Sequence, residues 1–204
     1  MSATEQTVRA YDLDAAAYAS NGATLPDSVR RDIEAFAERL GAGARVLEIG
    51  SGGGRDAALM EELGLRVRRT DITPGFAALL REQGHDADVL DPLTDDLSSP
   101  DGGYAAVWAN ASLLHVARAD LPKLLARLAA VCRRDALLRL AVKEGDGEGW
   151  STHGSISNPR HFTYWRADAL REVVTGAGWQ DVEIGRQLGT KNQEWWLEVS
   201  AVRA

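Results

Sequence analysis

Short apolar runs alternate with amphipathic stretches along most of the chain. Val46, Leu47 and Ile49 form a compact run that reads as a buried strand; Gly50, Gly52, Gly53 and Gly54 follow as a tight turn, and Ala57 to Leu63 reads as a helix. The alternation continues with a strand from Leu65 to Thr70, tipped by Asp71, and a helix opened by Pro74 and stopped by Gly84. His85 to Leu90 is a short strand ending in Asp91-Pro92-Leu93, and Tyr104 to Ala109 is a fourth strand followed by Asn110. A helix opened by Asp120-Leu121-Pro122 leads to a fifth strand, Ala136 to Val142, and a further helix ends at Gly176. Trp179 to Leu188 and Glu194 to Val202 are β-rich and joined by Gly189-Thr190-Lys191-Asn192, an antiparallel hairpin. Upstream, Glu5 to Ala19 reads as one helix with Tyr11 and Tyr18 on one face, and Asp27 is expected to cap a helix that buries Ile33, Phe36, Ala37 and Leu40. Strands alternating with helices predict an α/β domain.

One segment breaks the pattern. Lys143 to Phe162 carries glycines at 145, 147, 149 and 154 with no clear period, and it leaves the carboxyl end of a central strand. A structureless loop of this length in a compact domain is usually functional, so a substrate-facing lid is expected over residues 143–162.

Composition narrows the partners. Lys and Arg total 23 against 30 Asp and Glu, a net charge of −7, which disfavours a sequence-independent grip on a phosphate backbone. Nucleic acid is therefore not an expected partner. Cys132 is the single cysteine, which excludes an intrachain disulfide and a Cys-rich zinc site and fits a small buried core residue. No apolar run approaches a membrane span and residues 1–14 lack an apolar leader core, so a cytoplasmic location is expected, with a single domain over 1–204. His153 and His161 lack companion ligands, and no metal is expected.

The glycine turn carries the strongest chemical signal. Such a turn lets a ligand touch bare backbone beside a helix N-terminus. A dinucleotide fingerprint counted from Gly50 puts Arg55 where the third glycine belongs, so a nicotinamide-dependent oxidoreductase is a poor fit. The spacing that fits is acidic-x-Gly-x-Gly-x-Gly, filled by Glu48, Gly50, Gly52 and Gly54. An acid about twenty residues beyond the glycines, here Asp71, suits a carboxylate that accepts from a ribose diol.

In these residues the chain resembles the class I S-adenosylmethionine-dependent methyltransferases, and the likeness spans nearly its whole length. It implies a doubly wound, mostly parallel seven-stranded Rossmann-like sheet with an antiparallel last strand, and S-adenosylmethionine as cofactor. The implied contacts run through the glycine turn (Glu48, Gly50, Ser51, Gly52), Asp71 and Ile72 at the ribose, and Asp91, Pro92 and Leu93 at the adenine. Ala109 and Asn110 would meet the methionine amino group, Arg55 its carboxylate, and Tyr18 would reach the methionine end from an N-terminal lid over residues 1–25. Where the family commonly carries Pro-Gly-Gly before the fifth strand, this chain has Arg133-Arg134-Asp135.

Methyl transfer needs alignment and, for a protonated nucleophile, a base. His115, just past the fourth-strand tip, is the first candidate because an imidazole half-titrates near neutral pH; Glu144, His153 and His161 are second choices in the irregular segment. Arg160, Tyr164 and Trp165, with Tyr11, suit an anionic or planar small-molecule substrate. A non-catalytic relative that binds the cofactor is the alternative. The acceptor and the oligomeric state are not legible in these residues.

Overall fold

A computed structural model describes residues 1–99, 102–152, 156–189 and 193–204. His153 and residues 190–192 of the expected hairpin connection lie outside the described residues. Helices α1 (Ala3–Leu13), α2 (Ala15–Asn21) and α3 (Asp27–Leu40) precede β1 (Arg45–Ile49), α4 (Arg55–Glu62), β2 (Arg66–Asp71), α5 (Pro74–Glu82) and β3 (Ala87–Val89). Then come β4 (Tyr104–Asn110), a 3-10 turn (Leu113–His115), α6 (Leu121–Ala130), β5 (Cys132–Lys143), β6 (Glu148–Ser151) and β7 (Arg160–Thr163). The chain finishes with α7 (Ala167–Gly176), β8 (Trp179–Leu188) and β9 (Trp195–Arg203).

The main sheet has seven strands in the order β3-β2-β1-β4-β5-β9-β8. The first five are mutually parallel, and β9 runs antiparallel to both β5 and β8. Alternate residues of the central strands feed two cores. Val46, Ala106, Trp108 and Leu137 pack against Ile33 and Phe36 of α3 and Met60 of α4. Leu47, Val107, Ala109 and Leu138 pack on the other face against Leu124, Leu125 and Leu128 of α6 and Leu170 of α7. That alternation is the two-residue period of a strand buried on both faces. Each fully buried leucine removes enough apolar surface to contribute about 2 kcal/mol. Chain order reverses between β1 and β4, so a crevice opens at their carboxyl ends, where open α/β sheets bind ligands.

Four expectations are corrected. The N-terminal helix is two helices, broken at Asp14, whose backbone sits at φ −117° and ψ 15°. Pro26, not Asp27, precedes the first residue of α3, and no side chain caps it. The fifth strand begins at Cys132, with Asp135 in the left-handed region at φ 62° absorbing a register shift against β4. Residues 143–162 are not structureless: β6 and β7 pair antiparallel, Glu148 opposite Thr163 through Ser151 opposite Arg160. Cys132 is buried in the core, as its composition-based reading held, and burial pushes its thiol up to about 12. No helix among the described residues is long and apolar enough to cross a membrane.

Candidate functional site

The glycine turn is fixed from below and open above. Thr70 O accepts from both Gly50 N–H and Ser51 N–H at 2.9 Å, tying the turn to β2. Gly50 has φ 81°, and a Cβ there would lie 2.4 Å from Ser112 Cβ, so only glycine fits. Gly52, at φ 52°, has no atom within 4 Å of the Cβ position, so its bare backbone borders open space.

Asp71, at the end of β2, accepts from Gly52 N–H at 2.9 Å through one oxygen and from Thr73 N–H at 2.8 Å through the other. A carboxylate has about four acceptor sites, so capacity remains for hydroxyl donors. Burial pushes its pKa up, and the two N–H donors oppose that. Asp71 lines a cavity of about 130 Å³ with Ile72, Asp91, Pro92, Leu93 and Ser112. Asp91 Oδ1 accepts from Leu93 N–H at 2.9 Å, which shapes that turn. The buried Ser112 Oγ has no hydrogen-bond partner among the described residues, an orphaned polar atom where a ligand is expected to bind.

Beneath the turn lies a pair of acids. Ser51 Oγ donates to Glu48 Oε2 at 2.5 Å, and burial together with the neighbouring Asp56 pushes the Glu48 carboxyl up to about 8. Asp56 accepts from Trp108 Nε1 at 3.0 Å, from Asn110 Nδ2 at 2.8 Å and from Arg55 Nε at 3.2 Å. Arg55 Nη1 donates to Gly22 O at 2.7 Å and Thr24 O at 3.2 Å. Its guanidinium therefore joins α4 to the end of α2 as well as bordering the site.

Helices α1 and α2 lie across the crevice. Tyr11 and Tyr18 meet edge to face with centroids 5.2 Å apart, and both pack on Phe76 of α5. Tyr11 Oη lies 2.8 Å from His115 Nε2, and His115 Nδ1 lies 2.6 Å from His161 O. A carbonyl only accepts, so Nδ1 carries the proton and the Tyr11 hydroxyl donates to Nε2. Burial, with Arg160 and Lys143 nearby, pushes His115 down to about 3, and burial drives Tyr11 well above its usual range. This corrects the expectation of a half-titrated base: His115 is neutral around pH 7, with its basic nitrogen already engaged.

A larger cavity of about 600 Å³ adjoins the smaller one. Tyr11, Tyr18 and Ala111 border both. It is walled by Phe162 and Trp196 and carries Arg160 and Lys143, each at most 5% exposed. Lys143 Nζ pairs with Glu194 at 2.8 Å.

The structure gathers Tyr11, Tyr18, Arg55, Asn110 and Arg160 along the larger cavity, and Glu48, Gly50, Ser51 and Gly52 along the turn. Others fall elsewhere. Glu144 accepts from Arg186 Nε at 2.5 Å and does not border these cavities. On β7, side chains alternate, so Arg160 and Phe162 border the cavity while the His161 ring packs on Trp150 at 5.5 Å. Tyr164 packs against the core, and Trp165 is a core residue beneath the Arg118 guanidinium, 4.1 Å from its ring. Ala109 is sealed inside the sheet, and beyond it Ala111, at φ 57°, and Ser112 border the smaller cavity. Sequence reasoning gave no site role to Asp56, Glu194 or Trp196; Ala111 and Ser112 lie within the fourth-strand tip between Asn110 and His115, and Lys143 opens the segment expected to face the substrate.

Residues 22–184 match the family model described as a methyltransferase domain. No curated protein matches the sequence. Among solved structures, the Burkholderia thailandensis 1,6-didemethyltoxoflavin-N1-methyltransferase is similar with a TM-score of 0.73 at 23% identity, covering 100% of this chain and 92% of that one. The Synechocystis magnesium protoporphyrin IX methyltransferase gives 0.72 at 13% identity, with 100% and 98% covered. A methyltransferase from Methanosarcina mazei gives 0.72 at 12%, with 83% and 96% covered. These likenesses carry the fold. With four fifths of the chain inside the methyltransferase-domain match and the strand order of that fold around its glycine turn, the chain belongs to the class I S-adenosylmethionine-dependent methyltransferases.

Proposed function

We propose that the chain binds S-adenosylmethionine across the carboxyl ends of β1, β2 and β4 and methylates a small molecule held in the larger cavity. The observation that carries this reading is the junction of two cavities at Tyr11, Tyr18 and Ala111, one lined by ribose-type acceptors and the other by cations and rings. The residues fit the cofactor: Gly52 offers open backbone, Asp71 spare acceptor capacity, and Ser112 an unused hydroxyl. When bound, the cofactor supplies an electrophilic methyl group. Asp71 would hold its ribose, Asp91, Pro92 and Leu93 its adenine, and the turn with Asn110 its methionine part.

His115 acts as a positioning residue in this reading. Its fixed tautomer accepts from the Tyr11 hydroxyl and holds that ring at the junction. Helices α1 and α2 serve as a lid that shields the reacting atoms from water. Phe162 and Arg160 of β7 bring the 143–162 segment to the acceptor side. A single domain in a cytoplasmic setting completes the reading, and the net charge of −7 supports a partner other than nucleic acid.

Isothermal titration with S-adenosylhomocysteine, the demethylated cofactor, tests it. Saturable binding is expected, weakened about tenfold or more in a folded Asp71→Ala variant by loss of charge-assisted hydrogen bonds. Absence of wild-type binding at about 1 mM would refute the cofactor assignment.

A further inference from the structure

We infer that the methyl acceptor is an uncharged planar ring that donates an N–H or O–H hydrogen bond to the Tyr18 oxygen. The inference rests on the larger cavity being the acceptor site.

Where the cavities join, the hydroxyl hydrogens all run one way. His115 Nδ1–H donates to His161 O, so Nε2 can only accept, and the single Tyr11 hydrogen goes to it at 2.8 Å. Tyr18 meets Tyr11 edge to face, and its hydroxyl hydrogen-bonds the Tyr11 hydroxyl. Tyr11 has no hydrogen left to give, so Tyr18 is the donor in that bond. Arg160 Nη1 also donates to Tyr11 Oη, at 3.4 Å, so the Tyr11 oxygen is met from two sides. The Tyr18 oxygen therefore ends the chain with lone pairs and no hydrogen to offer. Tyr18 borders the larger cavity, the space over the glycine turn and the smaller cavity alike. A ligand lying there gains a hydrogen bond only by supplying the hydrogen.

The charges around the larger cavity cancel among the described residues. Of the groups that border it, Arg55 pairs with Asp56 at 3.2 Å, Lys143 with Glu194 at 2.8 Å, and Glu198 with Arg139 at 3.2 Å, Arg139 also reaching Asp32. Arg160 lies against the Tyr11 and Phe162 rings, its Cζ 5.4 Å and 5.3 Å from their centroids. With it, the bases (Arg55, Arg139, Lys143, Arg160) equal the acids (Asp32, Asp56, Glu194, Glu198) in number. A ligand of either charge would enter without a counter-ion, and an unmatched charge taken out of water is strongly disfavoured.

Shape adds planarity. Tyr11, Tyr18, Phe162 and Trp196 supply flat apolar walls, against which a planar ring buries its faces while its edge reaches the Tyr18 oxygen. The same rings alone would suit an alkylammonium ligand. Lys143 Nζ, 4.5 Å from the Phe162 centroid, and Arg160 already lie against them, so a third cation would meet like charge.

The test uses the full chain saturated with S-adenosylhomocysteine and titrated calorimetrically near neutral pH. Indole is compared with benzofuran, which replaces the N–H by an oxygen at nearly the same shape, and is expected to bind about fivefold more tightly. Indole-5-carboxamide is compared with indole-5-carboxylate and 5-(aminomethyl)indole, which add a charge of either sign, and is expected to bind at least about fivefold more tightly than both. Tyr18→Phe is expected to bring indole and benzofuran to equal affinity and to leave the order of the other three unchanged. Benzofuran binding as tightly as indole overturns the inference, as does a carboxamide no tighter than either charged probe, or no indole binding at about 5 mM. An undiminished indole preference in a Tyr18→Phe chain that still unfolds cooperatively overturns the Tyr18 contact. The wild-type comparisons need no variant. Failure of S-adenosylhomocysteine itself to bind strikes the cofactor assignment instead, and the probes titrated without it still rank the donor and charge preferences of the cavity.

Discussion

Glu48 lies under the glycine turn at 2% exposure, and burial with the adjacent Asp56 pushes its carboxyl from 4.5 to about 8. Between those values the folded chain holds a proton that the unfolded chain releases. Stability from this group is therefore full below pH 4.5 and is lost as pH rises to about 8. At ~1.4 kcal/mol per pH unit the interval amounts to roughly 5 kcal/mol at most. Glu48→Gln supplies a side chain of nearly the same shape that is neutral at every pH, and so removes the dependence. His115 has the opposite sign: its pKa falls from 6.5 to about 3, so its contribution is full above pH 6.5 and is lost as pH falls to about 3. That loss is common to both proteins and cancels in their difference. Urea unfolding of wild type and Glu48→Gln at about pH 4.5, 6.5 and 8.5 is the assay. The variant is expected to gain on the wild type by several kcal/mol from the lowest to the highest pH. A constant offset between the two would show that Glu48 is ionised in the fold and refute the reasoning.

Two glycine variants separate folding from binding. Gly50→Ala forces a Cβ to within 2.4 Å of Ser112 Cβ at φ 81°, and a loss of about 2–4 kcal/mol in thermal unfolding is expected from strain and overpacking. Gly52→Ala meets nothing within 4 Å, so about 1 kcal/mol of stability is expected to go while S-adenosylhomocysteine affinity drops about tenfold; unchanged affinity would remove Gly52 from the site. Tyr11→Phe deprives the half-buried His115 Nε2 of its donor, and urea unfolding should show a loss of about 1 kcal/mol.

The strand-turn-helix at residues 46–63 was legible because each signal in it is local: an apolar run, glycines at positions that need them, and a helix start. Asp71 and Asp91 were legible because strand tips are where an open sheet presents its ligands. The pairing of β6 with β7 was not, because Glu148-Gly149-Trp150-Ser151 is half exposed and finds its partner only across a long connection. His115 could be located but its protonation could not. Its neutrality comes from burial and from Arg160 and Lys143 nearby, which together outweigh the His161 carbonyl, 46 residues away; that carbonyl and Tyr11, 104 residues away, fix its tautomer. Tyr164 and Trp165 look like ligands in a linear reading, and only the alternation of β7 and the bridge between Glu144 and Trp165 turn them into the core.

The N-terminal helices are joined to both halves of the site by few bonds. Thr7 Oγ1 accepts from His161 N–H at 3.0 Å, Asp12 Oδ1 from Gly75 N–H at 2.7 Å, and Arg55 reaches Gly22 O and Thr24 O from α4. With the Tyr11 to His115 bond these make five contacts, each with a net value of about 1 kcal/mol in water. Lifting α1 and α2 as a unit thus costs several kcal/mol, to which the Tyr11, Tyr18 and Phe76 ring contacts add about 1 kcal/mol apiece. In the proposed lid role, that sum would make an open state rare without making it inaccessible. Tyr11 bonds His115 and borders both cavities, so under that proposal closing the lid and completing the junction would be one event.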